Sequence, residues 1–152
     1  MRIFEPVEQW AVKYNNINIH LPKRGTEFSA GYDFYCPVDT VIEPHTQELI
    51  FTNVKAKMNN DECLLLFSRS SLGKKGISLA NGVAVIDADF YNNEDNNGNI
   101  AFLFYNNSNT PYEFKIGDKI GQGIFVKYLL ADVEDKSNFV ARSGGFGSTG
   151  EK

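Results

Sequence analysis

Two carboxylates with alternate spacing, Asp87 and Asp89, close the stretch Asn81-Gly-Val-Ala-Val-Ile-Asp-Ala-Asp-Phe90. On an extended chain, residues two apart share a face, so both acids are expected to look into one cleft. Asn81-Gly82 is a turn signal, and Val83–Ile86 is an apolar, strand-like run behind it. Backbone groups beside an apolar wall suit a flat polar ring, and a nearby acid could work on water. The alternative is a hairpin that ends in two solvated acids. Ser68-Arg-Ser-Ser-Leu-Gly-Lys-Lys-Gly76 offers a cation, hydroxyls and a short capped helix, which is either a phosphate cradle or a plain turn. Gln122 interrupts an apolar strand, as a core hydrogen-bonding residue or as a ligand contact. The end of the chain, Ser143-Gly-Gly-Phe-Gly-Ser-Thr-Gly150, follows Arg142 and is costly to order, at roughly 1–2 kcal/mol per residue. It reads as a loose tail, or as an arm whose Phe146, Ser148 and Thr149 close over an anionic ligand.

Those residues need a scaffold, and 152 residues suffice for one domain with a substantial core. The composition, 42% hydrophobic and 22% charged, is that of a soluble globular protein. Neither a membrane-length apolar run nor a secretory signal is expected. A net charge of −4 argues against direct nucleic-acid binding. Cys36 and Cys63 make no disulfide framework, and with His20 and His45 they show no metal-ligand spacing. The expectation is a cytoplasmic protein with reduced thiols.

Along the chain, strands are expected from Trp10, over Asn16–Leu21, over Tyr32–Tyr35 after a glycine turn, and over Gln47–Ala56. Pro22–Gly25 reads as a break. Further strands are expected at Glu62–Phe67, Asn99–Asn106 and Lys119–Leu130. Asn92–Gly98 is almost wholly polar and reads as a surface loop. No helical periodicity is sustained. The prediction is an all-β jelly-roll barrel or sandwich with one short helix. It forms one domain over 1–152, a β core to residue 140 and a flexible glycine-rich arm over 141–152.

Five stretches, in order, resemble the motifs of the trimeric dUTPase family (dUTP diphosphatases), including phage and Gram-positive bacterial types. They are Ala30–Tyr35, Ser68–Ser71 with Gly76, Asn81–Phe90, Gly117–Ile120 with Gln122, and the glycine-rich end. The resemblance implies hydrolysis of dUTP to dUMP and pyrophosphate by a homotrimer with shared active sites. Asp87 would activate the water that attacks the α-phosphate. Asn81, Gly82, Val85 and Ile86 would read the uracil, with Phe146 stacking on it. Arg69, Ser70, Ser71 and Gln122 would hold phosphates, with Arg142, Ser148 and Thr149 at the γ end, and Asp33 would support the site. Mg²⁺ would be held by substrate phosphates and water, with no direct protein ligand. Phe90 stands where the family usually has a tyrosine over the sugar, and Tyr91 follows it, so either ring could cover the deoxyribose. About six polar residues are inserted before Gly98. Arg142 lies four residues before Phe146, where the family spacing is five. A dCTP deaminase of the same fold, or a regulatory relative that binds a repressor protein if phage-encoded, are the alternative readings.

Overall fold

The computed structural model describes residues 1–15 and 18–143. The first half contributes β1 (Ile3–Pro6), β2 (Lys23–Arg24), β3 (Tyr32–Tyr35), β4 (Thr40–Ile42), β5 (Gln47–Phe51) and β6 (Val54–Lys57). The second half contributes β7 (Glu62–Phe67), α1 (Ser70–Gly73), β8 (Ile77–Leu79), β9 (Ala84–Asp87), β10 (Ala101–Asn106), β11 (Tyr112–Phe114) and β12 (Lys119–Lys127). The largest sheet has the order β2-β3-β12-β7-β9, and a second runs β5-β10-β8. The pairs β11-β4 and β1-β6 complete the all-β jelly roll among the described residues. Every pairing is antiparallel.

Inward residues of the two main sheets make the core. Phe34, Leu64 and Leu66 meet Phe102 and Phe104, all essentially inaccessible to solvent. Edge-to-face packing of Phe34 on Phe102 (5.3 Å) and a tilted contact of Phe104 on Phe114 (5.1 Å) favour one arrangement of the rings. Gly121 lets the sheets approach: a Cβ there would lie 2.3 Å from the Phe102 ring and 2.9 Å from the Phe67 carbonyl oxygen.

Several sequence expectations need correction. Trp10 starts no strand; Gln9–Ala11 is a 3-10 turn, with Trp10 exposed. Residues 18–21 are not a strand, and the short β2 falls at Lys23–Arg24, where a break was expected. Gln47–Ala56 is two strands, because Asn53 takes a left-handed conformation (φ 63°) and binds Lys13 through both side-chain atoms. Its own N–H donates to Asn99. Strand β12 stops at Lys127, and residues 128–141 are exposed throughout, with Leu129 at 97% and Val133 at 91%. No described helix is long and apolar enough to cross a membrane.

The polar run Asn92–Gly98 is a loop exposed at Asn92, Glu94 and Asp95, as expected, but it is not wholly solvated. Asn93 and Asn97 are buried and folded inward. Asn97 accepts hydrogen bonds from the Glu8 N–H (2.7 Å) and the Lys55 ammonium (3.0 Å), and donates to the Glu8 carboxylate (2.9 Å). Lys55, only 6% exposed, also donates to Asn92 (2.6 Å). Buried amides and a buried ammonium are tolerated because their bonds are made. Asparagine supplies a donor and an acceptor on a short stem, which lets a polar segment satisfy itself indoors.

Candidate active site

Strand β9 forms one edge of the five-stranded sheet, paired only with β7, through Cys63↔Asp87 to Leu66↔Ala84. Its outer row of backbone groups therefore faces away from the sheet. Asn81-Gly82 does not make a hairpin, because β8 pairs with β10 in the other sheet, so the turn carries the chain across the barrel. Gly82 has φ +74° with open space around it, so conformation rather than crowding calls for glycine. Val83 and Val85 are left partly exposed at 45% and 57%. A cavity of about 340 Å³ opens beside them, lined by Asn81, Ala84, Val85, Ile86, Phe90 and the tip of the inward-folded loop, Asp95 and Asn96.

The strand ends at Asp87, and Ala88–Phe90 is a 3-10 turn. Alternation along a strand is therefore not what brings Asp87 and Asp89 together. Arg142 does so: its Nε donates to Asp89 Oδ1 at 2.7 Å, and its Nη2 to Asp87 Oδ2. The guanidinium side chain is 14% exposed, whereas the carboxylates are open, at 48% and 65%. The loop tip helps to place it, since the Asp95 N–H donates to the Ser143 carbonyl (3.2 Å). This contact between the insertion and the start of the arm had no sequence signal, because it joins residues with no shared periodicity. Opposite Asp87, the Cys63 thiol is pushed up by burial and then by the Asp87 charge, so it stays protonated beside the acid.

Phe90 and Tyr91, the two rings expected near the sugar, have different surroundings. Phe90 lines the cavity and its ring belongs to the core cluster. Tyr91 is committed elsewhere: its hydroxyl donates to Glu5, and the Lys55 ammonium lies 5.1 Å above its ring. The hydrogen bond to Glu5, with burial, pushes the Tyr91 phenol up.

The expected phosphate residues form a second group. Arg69 caps α1, and Ser70 and Ser71 are its first, exposed residues; no serine side chain caps the helix, contrary to the simple N-cap expectation. Gln122 stands between Phe67 on β7 and Asp33 on β3. A Cβ on Gly31 would fall 2.2 Å from its Oε1, so this glycine leaves room for the amide. Asp33 pairs with Lys119 at 3.4 Å. Along β7, Phe67 is four residues from Cys63, the partner of Asp87, which is ~13 Å at strand spacing, with a further lateral offset. One chain thus carries the acid and cavity in one place, and Arg69, Ser70, Ser71, Gln122 and Asp33 in another. Phe146, Ser148 and Thr149 lie outside the described residues.

Comparison with known proteins places the chain in a family. The sequence model of the dUTPase family matches residues 17–150. The chain belongs to the dUTPase family. It is 42% identical over 139 residues to the deoxyuridine 5′-triphosphate nucleotidohydrolase of Lactococcus lactis, covering 91% of this chain and 93% of that one. The corresponding protein of Arabidopsis thaliana is 35% identical, over 86% of this chain and 76% of its own. Among solved structures, the dUTPase of Streptococcus mutans superposes with a TM-score of 0.75 at 38% identity, over 86% of this chain and 98% of that one. Within this dUTPase-family chain, no group of three His, Cys, Asp or Glu side chains among the described residues is placed to hold a metal.

Proposed function

We propose that this chain hydrolyses dUTP to dUMP and pyrophosphate, and that the observation carrying it is Asp87 at the end of an open edge strand beside the Asn81–Phe90 cavity. The uracil lies against β9, where Val85 and Ile86 give an apolar wall and backbone N–H and C=O groups match the polar rim of the base. A methyl at C5 would meet that backbone wall, which selects uracil over thymine. Phe90 underlies the deoxyribose. Water, oriented by Asp87, attacks the α-phosphorus; its proton passes to the carboxylate as the bond to the bridging oxygen breaks and pyrophosphate leaves. Arg142 donates to Asp87 Oδ2, and the carboxylate is 48% exposed, so it is open to the water. Mg²⁺ arrives with the triphosphate as part of the substrate, a role that suits a protein offering isolated carboxylates rather than a cage. Release of pyrophosphate from dUTP, but not from dTTP, UTP or dCTP, is the expected result with Mg²⁺ present. Equal release from dTTP would remove the base-reading role of β9.

The active form is read as a homotrimer with sites shared between subunits. Support comes from the separation of the Asp87 cavity from the Arg69–Gln122 group, and from the exposed apolar residues of 128–141, which need cover. Arg69→Ala and Asp87→Asn proteins, each inactive alone, should regain about a quarter of the wild-type rate when unfolded and refolded together, since random assembly pairs an intact acid with an intact phosphate group that often. If no activity returns from a mixture that has reassembled, each site lies within one subunit.

A further inference from the structure

The inward-folded loop brings a polar group into the cavity that the reaction so far leaves unused. Asn93 Oδ1 accepts the backbone N–H groups of Asp95 and Asn96 (3.0 Å each), so its amide nitrogen must face the other way. That nitrogen donates to the Phe90 carbonyl (2.7 Å) and to Asn96 Oδ1 (2.8 Å). Asn96 Oδ1 also accepts the Gly98 N–H at 3.0 Å. Backbone donors thus fix both side-chain amides, and neither can flip without losing bonds. The amide nitrogen of Asn96 is the atom left over. It makes no hydrogen bond among the described residues, and Asn96 lines the cavity.

We propose that Asn96 is a substrate-binding residue whose side-chain NH₂ donates to the 3′-oxygen of the deoxyribose, an assignment that rests on the dUTP reading above. The base lies against β9 and the triphosphate leads past Asp87, so the sugar spans the interval over Phe90. Asn96 is tied to Phe90 through Asn93 and stands at that interval. The 3′-oxygen is the sugar's exposed acceptor there. A donor held by two bonds at its carbonyl loses little freedom when the ligand arrives. The residue comes from the polar insertion, so the insertion completes the sugar pocket from the side opposite β9.

The test compares binding of uncleavable α,β-imido-dUTP and its 3′-deoxy counterpart to wild type and to Asn96→Ala, by calorimetry with Mg²⁺. Asn96→Ala should weaken the 3′-hydroxy nucleotide about three- to tenfold, the range of one neutral hydrogen bond, and leave the 3′-deoxy nucleotide within about twofold. Collapse of the loop would weaken the two ligands equally, and that result overturns the proposal. An unchanged preference for the 3′-hydroxyl would also overturn it. Binding is measured without turnover, so tight binding by a protein that releases no pyrophosphate from dUTP would sink the hydrolytic reading while leaving the Asn96 contact supported or refuted on its own data.

Discussion

Asp87→Asn is expected to lower kcat for dUTP by about 10²- to 10⁴-fold, the range for loss of a positioned general base. The amide keeps the size of the carboxylate and can still accept a bond from Arg142 through its oxygen, so the end of β9 should hold its shape. What it loses is the capacity to take the proton of the attacking water. Arg142 retains Asp89 as a charged partner. Binding of an uncleavable analogue should therefore change by only a few-fold, with the loss concentrated in kcat. Single-turnover pyrophosphate release separates the two. A rate within tenfold of wild type would take the base role from Asp87, and an equal loss in binding would make the residue a ligand anchor instead.

Gly121→Ala is expected to cost about 1–3 kcal/mol of stability, the range for overpacking a close-packed core. The added Cβ would meet the Phe102 ring at 2.3 Å and the Phe67 carbonyl at 2.9 Å. The ring cannot withdraw, because Phe102 is itself packed between Phe34 and Phe104. The carbonyl belongs to β7, where Phe67 pairs with Gln122. Relief must come from separating the sheets. Gly73→Ala is the control: its Cβ would meet nothing within 4 Å, so it should be neutral or slightly stabilising at the end of α1. Denaturant midpoints at equal protein concentration check both, and a Gly121→Ala midpoint equal to that of Gly73→Ala would show that the sheets part cheaply.

Where a physical signal was local, it could be read from the sequence. A continuous apolar run marked β7 closely, and many short strands separated by turns marked the jelly roll. The chemistry of Asn81–Phe90 stood out because a turn, an apolar run and two acids adjoin. Long-range partners carried no such signal. Asn53 looks like an ordinary strand residue until its φ and its bonds to Lys13 are known. Asn92–Gly98 misled because polarity usually means solvent, whereas here asparagines bond to one another and to a buried lysine. Arg142 has the right chemistry for a phosphate, yet it is found on Asp87 and Asp89 of its own chain. Only three-dimensional proximity could supply that pairing.

An edge strand open enough to bind a base is equally open to another edge strand, and the exposed Val85 makes β9 a template for unwanted association. Three features restrain it. The row is only four residues long, the 3-10 turn at Ala88 bends its continuation away, and the end carries two acids. A second copy pairing in parallel along that edge would set Asp87 against Asp87. The carboxylate proposed to activate water would thus also guard the edge, and a variant that neutralises it is expected to lose solubility along with turnover.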